Sequence, residues 1–198
     1  MNRFSKIRFR LAVLVVCAAA IALVALAAVS VIQVIRGDTR SLVDRPVHAQ
    51  TLKESFAILS QRHSNKCGLR PESLDSIAAS GRFQGSCCSP MVFSHYVEQV
   101  RGLVKYAKVS EIPQNPYDVS VGLAKRLTSY SEGINLTPQQ LSLYRRAMKL
   151  ARERGPCCCH CWRWTAFEGQ ARYLLARRGY GSRQIADVWN LEDGCGGA

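Results

Sequence analysis

Gly155-Pro156-Cys157-Cys158-Cys159-His160-Cys161-Trp162-Arg163-Trp164 concentrates four of the chain's nine cysteines and one of its four histidines within five consecutive residues. A thiolate is a soft ligand and an imidazole a borderline one, so the run reads first as a site for a soft metal. A disulfide between sequence neighbours closes a tight, strained ring, so Cys157-Cys158-Cys159 cannot simply pair with itself. Its thiols pair with distant cysteines, bind metal or stay free. The competing reading is a disulfide-stapled loop, the usual fate of cysteines outside the cytoplasm. His160 has no role in a staple, which favours metal. Cys157, Cys159 and Cys161 alternate along the chain, so an extended turn would point all three to one side and onto one ion.

The run lies on a bend between two helices. Upstream, Thr137 can cap, Pro138 suits the first helical position and Gln140 completes a capping box. Leu141, Tyr144, Met148 and Ala151 would line that helix's inner face, and Gly155-Pro156 ends it. Downstream, Trp164, Phe167, Ala171 and Leu174 mark a helix ending near Gly179, and Ser182 can cap a last one carrying Ile185, Val188 and Trp189. The chain closes on Gly194-Cys195-Gly196-Gly197, whose glycines let the backbone come close to whatever Cys195 contacts. Its return to the four-cysteine run, as ligand or bridge, is expected.

A second soft-ligand cluster, Cys87-Cys88-Ser89-Pro90-Met91-Val92-Phe93-Ser94-His95, precedes a helix running to about Tyr106 with a core stripe of Phe93, Val97, Val100 and Val104. Met91 and His95 share another face that leads back to Cys88, a plausible Cu(I) ligand set; the alternative is Met91 as core filler and His95 as a surface group. Before it, Leu52, Phe56, Leu59 and His63 recur at helical spacing with Cys67-Gly68 as the stop, and a short helix is expected from Pro71 to Ser80. Residues 112–118 form a turn-rich connector, and a short helix covers 119–129. No stretch shows sustained strand alternation.

Residues 11–35 carry no charge, a length that spans ~37 Å as a helix and crosses a bilayer. Arg3, Lys6, Arg8 and Arg10 precede it and hold the N-terminus in the cytoplasm. The run is longer than a signal-peptide core, so an uncleaved anchor is expected. Four of the 27 Lys+Arg precede the span, leaving 23 against 14 Asp+Glu, a net charge of +9 on the outer portion. That balance suits a surface near anionic headgroups, and no nucleic-acid recognition module accompanies it. Cys17 falls in the span, which leaves eight cysteines outside, an even number that permits complete pairing without requiring it.

The fold expected is all-α: one N-terminal transmembrane helix followed by a small helical extracytoplasmic domain with Cys-rich loops. The divisions are 1–36 for the cytoplasmic N-terminus and anchor, 37–48 for a juxtamembrane linker, 49–136 for a helical region holding the Cys87-Cys88-Met91-His95 cluster, and 137–198 for a helical region holding the 157–161 motif. Other chemistries fit poorly. Cys158 and Cys161 formally satisfy Cys-x-x-Cys but lack a βαβ setting, and Trp162 stands where haem attachment needs histidine. Iron–sulfur and structural zinc sites want wider thiol spacing, and no hydrolytic motif is present.

The helix with Tyr144 and Ala147 followed by Gly155-Pro156-Cys157-Cys158-Cys159-His160-Cys161 resembles the PCYCGC-motif proteins, membrane-tethered or lipid-anchored extracytoplasmic proteins of bacteria. Pro156, Cys157, Cys159 and Cys161 match the motif; Cys158 replaces a tyrosine and His160 a glycine, and Trp162-Arg163-Trp164 stands where the family carries further His and Cys. The resemblance covers the last third of the chain and implies metal binding, particularly copper.

Together these readings predict a non-enzymatic membrane-anchored protein that stores, buffers or delivers a soft metal, Cu(I) ahead of zinc. Cys157, Cys158, Cys159, His160, Cys161 and Cys195 are the ligands, with Cys87, Cys88, Met91 and His95 as a second set. Its partners are the membrane, the ion and a metal-receiving or thiol protein, not nucleic acid. The alternatives are thiol–disulfide exchange by Cys158 and Cys161, and a disulfide-stabilised interaction module. A reporter fused after Ala198 is expected to be active only outside the cytoplasm; strong cytoplasmic activity would overturn the topology.

Overall fold

The computed structural model describes residues 46–196. The expected span at 11–35 and Cys17 lie outside the described residues. Among those described, no helix is long and apolar enough to cross a membrane. The chain divides between Thr51 and Leu52, and Leu52–Ala198 is one compact unit. The regions expected on either side of residue 137 therefore pack together.

The described residues are mostly helical, 55% helix and 4% strand, and form six helices. In chain order they are α1 (Pro46–Leu59), α2 (Phe93–Leu103), α3 (Val121–Gly133), α4 (Pro138–Leu150), α5 (Trp162–Arg178) and α6 (Ser182–Glu192). Two short strands, β1 (Arg82–Gln84) and β2 (Asp118–Ser120), pair antiparallel with Phe83 opposite Val119. Strand pairing was not expected from the sequence. Three residues are too few to display a period of two, although Phe83 and Val119 are both buried while their neighbours are not.

Helix α5 is the axis of the core. Trp162, Ala166, Phe167, Ala171 and Leu174 on it are fully buried, together with the polar Arg163 and Gln170. Helix α3 lies against it so closely that Gly169 faces the Leu127 carbonyl and the Ser131 amide directly. Helix α6 packs on α4 and α2, presenting Ile185, Val188 and Trp189 to the core. Local signals place the helix ends. The Thr137 hydroxyl accepts from the Gln140 amide at 3.2 Å while Gln140 Oε1 accepts from the Thr137 amide at 3.0 Å, so both orphan donors are satisfied. Helix α5 stops at Gly179, whose φ of 68° only glycine adopts without cost. The last helix is capped from Gly181 rather than Ser182, with Gln184 Oε1 accepting from the Gly181 amide.

Three expectations fail in whole or in part. Helix α1 ends at Leu59, before His63 and Cys67, and Gly68 is not left-handed. The chain leaves the helix because β1 recruits it: the Asn65 amide donates to the Gln84 carbonyl and the Gln84 amide to Ser64 Oγ. Helix α2 buries Tyr96, Gln99 and Leu103; of the expected stripe, Val97 and Val100 pack against the cluster around Tyr96, while Phe93 and Val104 are 39% and 58% exposed. Both stripes have helical spacing, and the larger Tyr and Leu take the inner one. The expected 71–80 helix is reduced to a single 3-10 turn, Pro71–Leu74.

Gly169→Ala should separate α3 from α5, because a β-carbon there overlaps backbone rather than a movable side chain. Overpacking of this kind costs roughly 1–3 kcal/mol or more, so the variant should show a clearly lowered Tm in thermal melts. An unchanged Tm would refute the close crossing.

Candidate metal centre

Four segments distant in sequence bring cysteines to one place. Cys67 arrives on the stretch drawn out along β1, where Asn65 Nδ2 also donates to the Gly85 carbonyl at 3.1 Å and Trp162 Nε1 donates to Asn65 Oδ1 at 3.2 Å. Cys87 and Cys88 follow Gly85, at φ 86° and pressed against the Arg62 carbonyl, where a β-carbon would collide. Cys157, Cys158 and Cys159 lie on the bends between α4 and α5, with Gly155 buried against the Trp164 ring. Cys195 follows α6 and is tied down by main-chain bonds. The Cys87 amide donates to the Gly194 carbonyl at 3.1 Å and the Ser89 amide to the Cys195 carbonyl at 2.8 Å.

The sulfurs form one connected network. Cys88 Sγ lies 3.5 Å from Cys67, 3.4 Å from Cys87, and 3.6 Å from both Cys158 and Cys159. Cys195 Sγ lies 3.6 Å from Cys87, 3.3 Å from Cys157 and 3.1 Å from Cys158. Cys158 and Cys159 are 3.2 Å apart. A disulfide bond is ~2.05 Å, and the eight described cysteines are all free. Four sulfurs bound at ~2.3 Å around a tetrahedral ion stand about 3.8 Å apart, so small outward shifts would admit metal. Three groups meet the geometric needs of an ion: Cys67 with Cys88 and Cys159; Cys87 with Cys157 and Cys195; Cys88 with Cys158 and Cys195. This cysteine-rich cluster can hold metal.

The two expected ligand sets are thus one assembly, and its membership differs in detail. Cys157 and Cys159 do not converge on one point, because the segment bends instead of extending: Cys157 faces Cys87 and Cys195, and Cys159 faces Cys67 and Cys88. Cys161 caps α5, is 1% exposed and abuts Cys157. It joins none of the three groups, nor do His160 and His95. His160 instead lies over the Trp164 ring, centroids 3.9 Å apart. Met91 packs in an apolar cluster with Leu52, Leu59, Tyr96 and Tyr117, the core-filler alternative. His95 Nε2 is buried with no hydrogen-bond partner among the described residues. Cys67 was the member not singled out; the even number of outer cysteines was the one sequence signal that included it. The buried Cys161 is also poorly placed for thiol exchange, which needs an accessible sulfur.

Without a cation several of these thiols are pushed toward their protonated form. Contact with Cys159 and then burial push the Cys67 thiol up to about 12. Burial raises Cys88 and Cys158. Contact with Cys157 raises Cys87 and Cys161, again with help from burial. Cys195 is pulled down by Cys157 but rises on balance through Cys87 and burial. Cys159 alone is lowered, by the thiols of Cys67, Cys158 and Cys88 around it. A bound metal ion would reverse this ordering, displacing thiol protons as it binds.

Beneath the thiols lies a buried polar group that holds the tail. Arg163 is fully buried, and its Nη2 donates to the Pro116 carbonyl at 3.0 Å and to the Glu192 carbonyl at 2.8 Å. Gln99 Nε2 donates to the Asp193 carbonyl at 2.6 Å. Gln170 Nε2 donates to Glu192 Oε1 at 2.7 Å, while Gln170 Oε1 and Glu192 Oε2 have no partner among the described residues. Burial pushes the Glu192 carboxyl up to about 8 against the opposing pull of Gln170 and Arg163. Protonation answers both unpartnered atoms, because the acid hydroxyl can return a hydrogen bond to Gln170 Oε1.

No family model matches the chain, and no curated protein or solved structure matches it.

Glu192 makes stability pH-dependent. Its folded value lies above the unfolded one of 4.5, so its contribution is complete below about 4.5 and is lost as pH rises through about 8. The change is on the order of 3–5 kcal/mol. In the reduced, metal-free chain, urea unfolding between pH 5 and 8 should show falling stability, and Glu192→Gln should flatten that slope. An equal slope in both chains would place the proton elsewhere.

Proposed function

We propose that this chain binds a soft metal, copper as Cu(I), through its clustered thiols, outside a membrane to which its N-terminus tethers it, for storage, buffering or delivery. The observation that carries the reading is the meeting of seven thiols from four segments, each within 3.1–3.6 Å of another. The three groups are built of sulfur alone, the softest donor set a protein offers. A structural zinc site closes a tetrahedron with four ligands, whereas each group here supplies three, which suits low-coordinate Cu(I) better and leaves zinc second.

The tether and the side of the membrane rest on the charge-free residues 11–35 and the four basic residues before them. The resemblance of Pro156, Cys157, Cys159 and Cys161 to the PCYCGC motif supports the same location and the same class of metal. Cys88 and Cys158 are exposed, so a metal-receiving protein could take up the ion by sulfur-to-sulfur exchange. The thiols are assigned to binding, not to catalysis.

The test is uptake by the reduced full-length chain in detergent, titrated with Cu(I) against a chromophoric chelator. Bound copper should protect the thiols from alkylation, and lowering the pH should release it, since the ligands must be deprotonated. Quantitative disulfide pairing before reduction, with no Cu(I) uptake after it, would overturn the reading in favour of a disulfide-stabilised module.

A further inference from the structure

The three thiol groups are not independent. Cys88 belongs to the group with Cys67 and Cys159 and also to the group with Cys158; Cys195 belongs to that second group and also to the one with Cys87 and Cys157. The remaining five thiols each serve one group. The geometry points to a linear three-ion Cu(I) cluster in which Cys88 and Cys195 are bridging thiolates and Cys67, Cys159, Cys158, Cys87 and Cys157 are terminal. This inference rests on the copper reading and adds to it the number of ions and the role of each sulfur.

Bridging fits the chemistry and the layout. A thiolate sulfur has lone pairs for two soft ions, and sharing it offsets the repulsion among anionic sulfurs packed 3.1–3.6 Å apart. Both bridging residues occupy the crossing points of the network. Cys88 touches four other cysteines and Cys195 three; Cys158 also touches three, but Cys88 and Cys195 are the two that belong to two groups each. Both are held by the same backbone pairing, in which the amides of Cys87 and Ser89, flanking Cys88, bond to the carbonyls of Gly194 and Cys195. Gly196 completes it at φ 103°, against Ser89, where any side chain would collide. The cluster also has direction. Cys157 at the inner end is 1% exposed, whereas Cys88 is open to a cleft of about 360 Å³ lined by His63, Ser86, Cys87 and Ser89. Ions would load from that cleft, which Cys87 of the inner group also lines.

The arrangement dictates an unequal response to single substitutions. The reduced full-length chain in detergent is loaded anaerobically with Cu(I), and bound ions are counted by native mass spectrometry. The wild type should take up three. Cys67→Ser or Cys157→Ser should each lose one ion, and Cys88→Ser or Cys195→Ser should each lose two. Copper X-ray absorption separates this from misfolding: a Cu–Cu path should persist in Cys67→Ser, where two groups still share Cys195, and vanish in Cys88→Ser. An equal one-ion loss at all four positions, or a Cu–Cu path surviving in Cys88→Ser, would overturn the bridging assignment while leaving copper binding intact. Absence of uptake by the wild type would overturn both.

Discussion

A guanidinium buried two residues beyond the last cysteine of the 157–161 run is the constraint on which the rest depends. Arg163 is 0% exposed, and taking such a charge out of water costs several kcal/mol unless the surroundings replace its hydration. The replacements are partial: Nη2 bonds the backbone carbonyls of Pro116 and Glu192, the faces of Trp162 and Phe167 lie 5.3 and 4.9 Å from the guanidinium carbon, and Nε and Nη1 have no hydrogen-bond partner among the described residues. Those partners come from the connector before β2, the end of α6 and α5 itself. The charge can be buried only when these elements have met, so one residue couples their assembly. Gly194 is pressed against the guanidinium, which explains why glycine precedes Cys195.

The thiol assembly is the consequence of that closure. Arg163 and Gln99 hold the carbonyls of Glu192 and Asp193, and the next residues pair with Cys87 and Ser89. The cation also favours the thiolate at Cys87. Seven sulfurs gathered this closely without bonding to each other are a poor arrangement for anions alone. Burial and mutual contact favour the protonated form at Cys67, Cys87, Cys88, Cys158 and Cys195, and a soft cation is the partner that would relieve both. Folding and metal affinity are thereby linked: whatever loosens the tail separates the sulfurs.

The polar core beneath, Gln99, Arg163, Gln170 and Glu192, places hydrogen-bonding side chains where apolar ones would pack at less cost. Its members bond chiefly to backbone carbonyls at chain ends and connectors. They specify where the connector at Pro116, the loop at Glu111 and the tail are seated, which a purely apolar core would leave to shape alone.

What the chain determines locally is legible in its residues. Although the helix expected to run to Gly155-Pro156 ends at Leu150, the capping box at Thr137 and Gln140, the stop at Gly179 and the α5 stripe of Phe167, Ala171 and Leu174 all follow from backbone preference and helical period. So does the expectation that Cys195 returns to the cysteine run, since glycines on both sides mark a close approach. What lies between distant segments was not legible. Two stripes on α2 satisfied the same period, and only packing against Tyr117 and the α6 side chains selects Tyr96 and Leu103. Strands of three residues leave no periodic trace, yet they draw Ser64 and Asn65 out of helix and deliver Cys67. Ligand spacing in sequence suggested that Cys157, Cys159 and Cys161 act together. The fold distributes them among different neighbours, because which sulfurs lie within a few ångströms is set by where four separate loops meet.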